Sequence, residues 1–225
     1  MPFTTSLDKS IRVAARASNL SVAQVEEVLS EMRFFYKDMC FKSTLVQTTG
    51  DKDQSTSLRH LDKSSDFFTK EIDALLLQGS CQVAIHSAKD LPDPLPKGLV
   101  LVALTRGVSS ADSLVFQEGQ SLELLPKGAL VATSSARRDA RIKELREDLR
   151  FCDIRGTIEA RLAKLDNKEC DAVVVAEAAL IRLKLTRRNR LILSGKTADF
   201  QGQLAIVARE EDAGMKALFK PIDTR

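Results

Sequence analysis

An α/β fold built from parallel β-α-β units is what this sequence predicts, and three observations carry the prediction. From residue 129 onward, apolar runs alternate with helical stretches: strands over 129–132, 150–154 and 172–175, helices over 137–149, 158–165 and 178–183. Strands separated by helical stretches of that length pair in parallel. In the first half, apolar strands over 11–16, 83–85 and 99–104 flank segments with helical spacing. Finally, 225 residues at 44% hydrophobic and 29% charged suffice for a buried core without disulfide staples.

The remaining elements follow in order. Residues 21–36 repeat Val22, Val25, Val28, Leu29, Met32 and Phe35 at helical spacing, and Ser21 with Gln24 suits a capping box. Residues 51–66 are polar, serine-rich and without period, which reads as a mobile loop. Residues 67–77 are amphipathic and stop at Gly79; a proline-rich loop over 91–96 then leads into the strand at 99. Leu95-Pro96-Lys97-Gly98 and Leu125-Pro126-Lys127-Gly128 each precede an apolar strand. Pro second and Gly fourth suits a turn, and the echo reads as two similar turns, not a repeat architecture.

Composition bounds the function. Basic residues number 34 against 31 acidic, a net charge of +3, with no Trp and one Tyr. A nucleic-acid binder that neutralises many phosphates or stacks bases is not expected. Arg187-Arg188-Asn189-Arg190 reads as a solvated basic cap on a helix end. Residues 1–8 lack a leader pattern and no apolar run reaches a membrane span, so neither secretion nor membrane insertion is expected. Cys40, Cys81, Cys152 and Cys170 lie far apart and read as reduced thiols of a cytoplasmic protein. With only His60 and His86 present, neither a metal site nor a Ser-His-Asp triad is expected.

Anion binding must therefore come from charge placed locally, and two strand-to-helix junctions place it. Thr133, Ser134 and Ser135 open a helix whose first turn holds Arg137 and Arg138, so hydroxyls, free backbone N–H groups and guanidiniums converge. Arg155 and Gly156 occupy the next junction, with Arg161 about one turn later. Guanidinium forks match carboxylates or phosphates in bidentate fashion. Arg16 ends the first strand, and His86-Ser87-Ala88-Lys89-Asp90 ends the strand at 83–85. Ligands on such sheets bind at the carboxyl edges of the strands. His86 itself reads as a packed strand residue.

The ordered segments Ile11-Arg-Val-Ala-Ala-Arg16, Val83-Ala-Ile-His-Ser-Ala-Lys-Asp90-Leu-Pro92, Ala132-Thr-Ser-Ser-Ala-Arg-Arg138, Ile154-Arg-Gly156 and Ala160-Arg-Leu162 resemble the porphobilinogen deaminase (hydroxymethylbilane synthase) family over residues 11–209. The resemblance implies two domains of the periplasmic-binding-protein-like type with a hinge cleft. Residues 1–104 with 197–225 would form the first, and 105–196 the second. It implies a cytoplasmic, monomeric transferase of haem biosynthesis. That enzyme joins four porphobilinogen units into linear hydroxymethylbilane and releases ammonia at each step. Its partner is this small molecule, with no nucleic acid and no membrane.

By motif position, Asp90 would be catalytic. Arg16, Lys89, Thr133, Ser134, Ser135, Arg137, Arg138, Arg155, Gly156 and Arg161 would bind the substrate and cofactor carboxylates, and Phe68 would pack near the pyrroles. A dipyrromethane cofactor is implied, attached through a cysteine of a third, α+β domain that is expected to be absent from a chain ending at Arg225. None of the four cysteines sits in a matching context. The segment 61–67 lacks the family's glycine, and Phe200 stands where the return motif has another. A non-catalytic binding module that keeps the polyanion cleft is the alternative class.

Overall fold

The computed structural model describes residues 10–60, 62 and 64–225; residues 1–9, Leu61 and Lys63, which include the leader reading and part of the glycine-free segment, lie outside the described residues. In chain order the elements are β1 (Ile11–Arg16), α1 (Asn19–Phe35), β2 (Phe41–Val46), α2 (Thr49–Lys52), α3 (Lys70–Leu77), β3 (Val83–Ser87), β4 (Leu99–Leu104) and β5 (Asp112–Phe116). Then come β6 (Leu130–Ala132), α4 (Ala136–Leu145), β7 (Arg150–Cys152), α5 (Ile158–Asp166), β8 (Ala172–Ala176), α6 (Glu177–Arg182), β9 (Arg190–Leu193), β10 (Leu204–Arg209) and α7 (Ala213–Phe219).

These strands form two five-stranded sheets, ordered β2-β1-β3-β10-β4 and β7-β6-β8-β5-β9. Each has three parallel strands followed by one antiparallel strand, β10 or β5, which sits between two neighbours. The chain exchanges sheets twice, between β4 and β5 and again between β9 and β10. Both faces of each sheet are covered, and successive residues feed opposite cores. In the first sheet Val13, Ile85 and Ile206 pack with Val28, Met32 and Phe219, while Ala14, Ala84 and Val207 pack with Ile72 and Leu76. In the second, Leu114, Val131 and Val174 pack against Ile142, and Val115, Val173 and Val175 against Leu162 and Leu165.

Several sequence expectations shift. The cap of α1 is Ser18, whose hydroxyl accepts from Ser21 N–H at 3.2 Å, so helix 21–36 begins earlier and no Ser21–Gln24 box forms. Gln24 instead donates to Ser87 Oγ at 2.8 Å. Helix 137–149 ends at Leu145. The turns at 96 and 126 close from Leu99 N–H to Pro96 and from Ala129 N–H to Pro126 (3.0 and 3.1 Å), so Pro is first and Gly third. The basic run near 188 is structural, not a solvated cap: Arg188 grips Asp166 at 2.6 and 2.7 Å, and Arg190 grips buried Glu177 at 2.8 and 2.9 Å. Among the described residues, no helix is long and apolar enough to cross a membrane.

Contacts between the two sheets gather where the chain crosses. Arg182 of α6 clamps Glu27 of α1 at 2.7 and 2.9 Å and donates to the Gly202 carbonyl at 2.8 Å. Gly202 has φ +86°, and a Cβ there would lie 1.9 Å from the Ser109 carbonyl oxygen. Both the left-handed backbone and the close approach therefore require glycine. Gly202→Ala is expected to cost at least about 2 kcal/mol, within the range of backbone strain and steric overlap. Urea denaturation measures this, and a loss under about 0.5 kcal/mol would show that the crossover relaxes freely.

Candidate active site: an arginine-lined cleft

The carboxyl ends of β1, β3, β6, β7 and β8 open on a cleft of about 1150 Å³. In its first wall, Arg16 pairs with Asp51, Nε to Oδ1 at 3.1 Å, and its guanidinium lies 4.4 Å over the Phe68 ring. Asp51 also accepts from the Thr48 N–H and hydroxyl at 3.0 and 2.9 Å, which starts α2. Burial raises the Asp51 carboxyl, but Arg16 and Thr48 outweigh it and leave it below the usual range. The segment 51–66 is therefore not patternless: it begins inside a capped helix and holds a 3₁₀ turn at Leu58–His60. Gly50 sits directly beneath Phe68, where a Cβ would lie 2.3 Å from the ring.

The second wall carries the two junctions. Asp112, buried at the start of β5, receives Arg137 Nη2 at 2.7 Å and Arg138 Nε and Nη2 at 3.0 and 2.6 Å. Burial raises its carboxyl, yet the two guanidiniums outweigh burial and hold it below the usual carboxylate range. Two arginines in the first turn of α4 thus have a counter-charge that offsets the opposed helix dipole. Arg155 donates to the Gly50 and Asp53 carbonyls at 3.0 and 2.6 Å, and its guanidinium lies 5.6 Å from the Phe67 ring. Arg161 donates through Nε to the Gly156 carbonyl at 2.9 Å. Its two terminal nitrogens hold no hydrogen bond among the described residues. Burial, then Arg138 and Arg155, bring it down to about 10, so it stays charged at neutral pH.

Lys89 and Asp90 form a 3₁₀ turn after β3 and line the cleft. Neither has a hydrogen bond or ion pair among the described residues. Lys89 reaches water, yet the walls crowd it, and this desolvation, followed by Arg138 and Arg161, lowers its ammonium against Asp90 and Asp112. His86 is buried as read from the sequence; burial and then Arg16 bring it down to about 4, so it is neutral.

Of the residues singled out in the sequence, Arg16, Phe68, Lys89, Asp90, Ser134, Ser135, Arg137, Arg138, Arg155, Gly156 and Arg161 meet at this one cleft. Thr133 does not. It is fully buried behind the wall, donating to Asp139 Oδ1 at 2.6 Å and accepting from Ser135 N–H at 3.1 Å, so it braces the loop. Ser134 donates to the Ile154 carbonyl at 2.5 Å, which ties the two junctions together. Sequence reasoning missed Asp51, Asp112, Arg182 and Arg59. Arg59 pairs with Asp139 and donates to the Thr133 and Cys152 carbonyls at 3.0 and 3.2 Å, so it crosses from the first sheet's loop to the second sheet. Only Asp112 left a readable signal, an acid heading an apolar run. Among the described residues, no cluster of His, Cys, Asp and Glu could hold a metal ion.

Comparison with known proteins agrees with this geometry. Residues 11–217 match the profile of the family described as porphobilinogen deaminase, dipyromethane cofactor binding domain. A probable porphobilinogen deaminase from Chlamydia pneumoniae is 42% identical over 95% of this chain and 90% of its own. The porphobilinogen deaminase of Desulforudis audaxviator strain MP104C is 37% identical over 96% of this chain and 70% of its own. The fold is of the periplasmic-binding-protein type. A putative methionine-binding lipoprotein from Bacillus subtilis superimposes with a TM-score of 0.58 at 17% identity, over 95% of this chain and 90% of that one.

Asp112→Asn removes the charge that holds buried Arg138, so a loss of about 3–5 kcal/mol is expected at neutral pH. The native carboxyl titrates below its unfolded value of about 3.9. Its contribution is thus complete above that value and lost as pH falls through the lower folded one. The stability gap between variant and native chain should therefore narrow below about pH 4. Denaturation at pH 7 and at pH 3 checks this, and a constant gap would refute the pairing.

Proposed function

Because the chain belongs to the porphobilinogen deaminase family, we propose that it is a hydroxymethylbilane synthase that condenses four porphobilinogen units head to tail, releasing ammonia at each step. One juxtaposition carries the reading: the carboxylate of Asp90, unpartnered among the described residues, shares a cleft with Arg16, Lys89, Arg137, Arg138, Arg155 and Arg161. Each porphobilinogen unit bears an acetate and a propionate, so the growing chain is a polyanion. The arginines hold those carboxylates, with Arg155, Arg161 and Lys89 the cleft cations that lack an ion pair among the described residues. Ser134, Ser135 and Gly156 shape the wall around them, and the Phe68 ring beneath Arg16 offers an apolar surface.

Asp90 serves the reacting carbon. As the bond to the departing ammonia lengthens, positive charge spreads into the pyrrole ring and onto its nitrogen. A fixed carboxylate stabilises that charge, accepts from the ring N–H and manages the proton released when the rings join. Neutral His86 adds no competing charge. Residues 1–104 with 197–225 act as one domain and 105–196 as the other, a division that follows the two sheets. The reading includes a monomer in the cytoplasm, acting on a small molecule.

The dipyrromethane of the family supplies, when bound, the primer to which units are added. The arginines and Lys89 suit its carboxylates. The thiols do not suit its attachment: Cys81 and Cys170 are buried, Cys152 is half-buried, Cys40 is exposed, and none lines the cleft. No covalent step is therefore assigned to them.

Asp90→Asn is expected to leave porphobilinogen affinity within a few-fold by calorimetry and to lower ammonia release at least about 100-fold. Undiminished release would remove Asp90 from the chemistry. Binding without ammonia release by the native chain would select the binding module.

A further inference from the structure

The segment returning from β9 to β10 holds an aromatic residue where the backbone favours glycine. Gln201 N–H closes a turn to the Ala198 carbonyl at 3.2 Å, and Gln203 N–H closes the next to the Phe200 carbonyl at 3.0 Å. The third residue of each has positive φ, +57° at Phe200 and +86° at Gly202. A bulky side chain in that region is an outlier. Among the described residues, the other non-glycine positions with positive φ are Lys168 and Lys184. Those follow α5 and α6, where a left-handed residue is an ordinary helix stop.

Packing does not compensate Phe200. The residue is 55% exposed and belongs to none of the hydrophobic clusters among the described residues. Phe200 lines the cleft, as do Gln201 and Lys196, whose carbonyl accepts from Arg137 at 3.1 Å. A bulky residue kept in a strained backbone without packing return, in the lining of a binding cleft, points to function.

We infer that Phe200 is a ligand-contacting residue whose ring lies against a pyrrole of the bound substrate. The inference rests on the proposed function and extends it, because it assigns recognition of the apolar pyrrole face where the arginines recognise carboxylates. Aromatic rings attract one another in offset or edge-to-face contact, and the substrate's aminomethyl ammonium is drawn to a π face. Only a chain with an aromatic side chain at this turn gains that contact.

The chain has no Trp, so Phe200→Trp places its one tryptophan at the cleft. Titration with porphobilinogen is expected to change its emission and to saturate in step with calorimetry on the native chain. Phe34→Trp, at a position 87% exposed and away from the cleft, is expected to show no change. Phe200→Asn, which tolerates positive φ, should keep or raise the melting temperature and weaken porphobilinogen binding about tenfold. Silent Phe200→Trp emission while the native chain binds would overturn the inference. So would a Phe200→Asn chain that melts several degrees lower with unchanged affinity, since the ring would then be structural. A native chain that binds no porphobilinogen by calorimetry refutes the functional reading itself, a result distinct from either.

Discussion

The carboxylate of Asp112 is the constraint on which the rest of the cleft depends. It is 2% exposed and stands at the first residue of β5, immediately after the chain has crossed from one sheet to the other. It receives Arg137 and Arg138 from α4, and Gln201 Nε2 at 3.0 Å from the second crossover. Gln201 also donates to the Ser110 and Ala111 carbonyls at 2.7 and 3.1 Å, so one amide links both crossovers to this acid. A buried charge in this position is tolerable only because several donors converge on it. The same convergence fixes where the two arginines stand relative to the crossovers.

Much of this arrangement was legible in the sequence, and the parts that were not share a cause. The alternation after residue 129 gave α5 and β8 almost to the residue, because consecutive parallel units record their own period. β2 and β9 escaped because they are edge strands whose exposed residues, such as Leu45 and Ile192, break the buried pattern. β10 (Leu204–Arg209) was not anticipated either, and nothing local says that it inserts antiparallel between β3 and β4. The arginines were visible because two adjacent junctions repeated one chemistry. That they pair with Asp51 and Asp112 was not, since an ion pair spanning 35 or 26 residues leaves no spacing to read. The burial of Thr133 was hidden for a related reason: hydroxyls at a helix start look alike in sequence, and only the fold shows which of them face the cleft.

The pairing of most of these cations also explains how a chain of net charge +3 can present a polyanion site. Two like charges about 4 Å apart in a partly dielectric-shielded site repel by roughly 4 kcal/mol, so a cleft of bare guanidiniums would spread apart. Asp51 offsets Arg16, Asp112 offsets Arg137 and Arg138, and Arg155 is held by two carbonyls. Each keeps its place before any ligand arrives, which reduces the ordering that binding must otherwise supply. Arg161 and Lys89 have no such counter-charge; beyond desolvation, Arg138 and Arg155 lower Arg161, and Arg138 and Arg161 lower Lys89. An incoming carboxylate relieves that field most where the charge is least compensated. Asp90 shares the same turn as Lys89, so the strongest pull on the ligand and the carboxylate proposed to act on it are set by one short stretch of backbone.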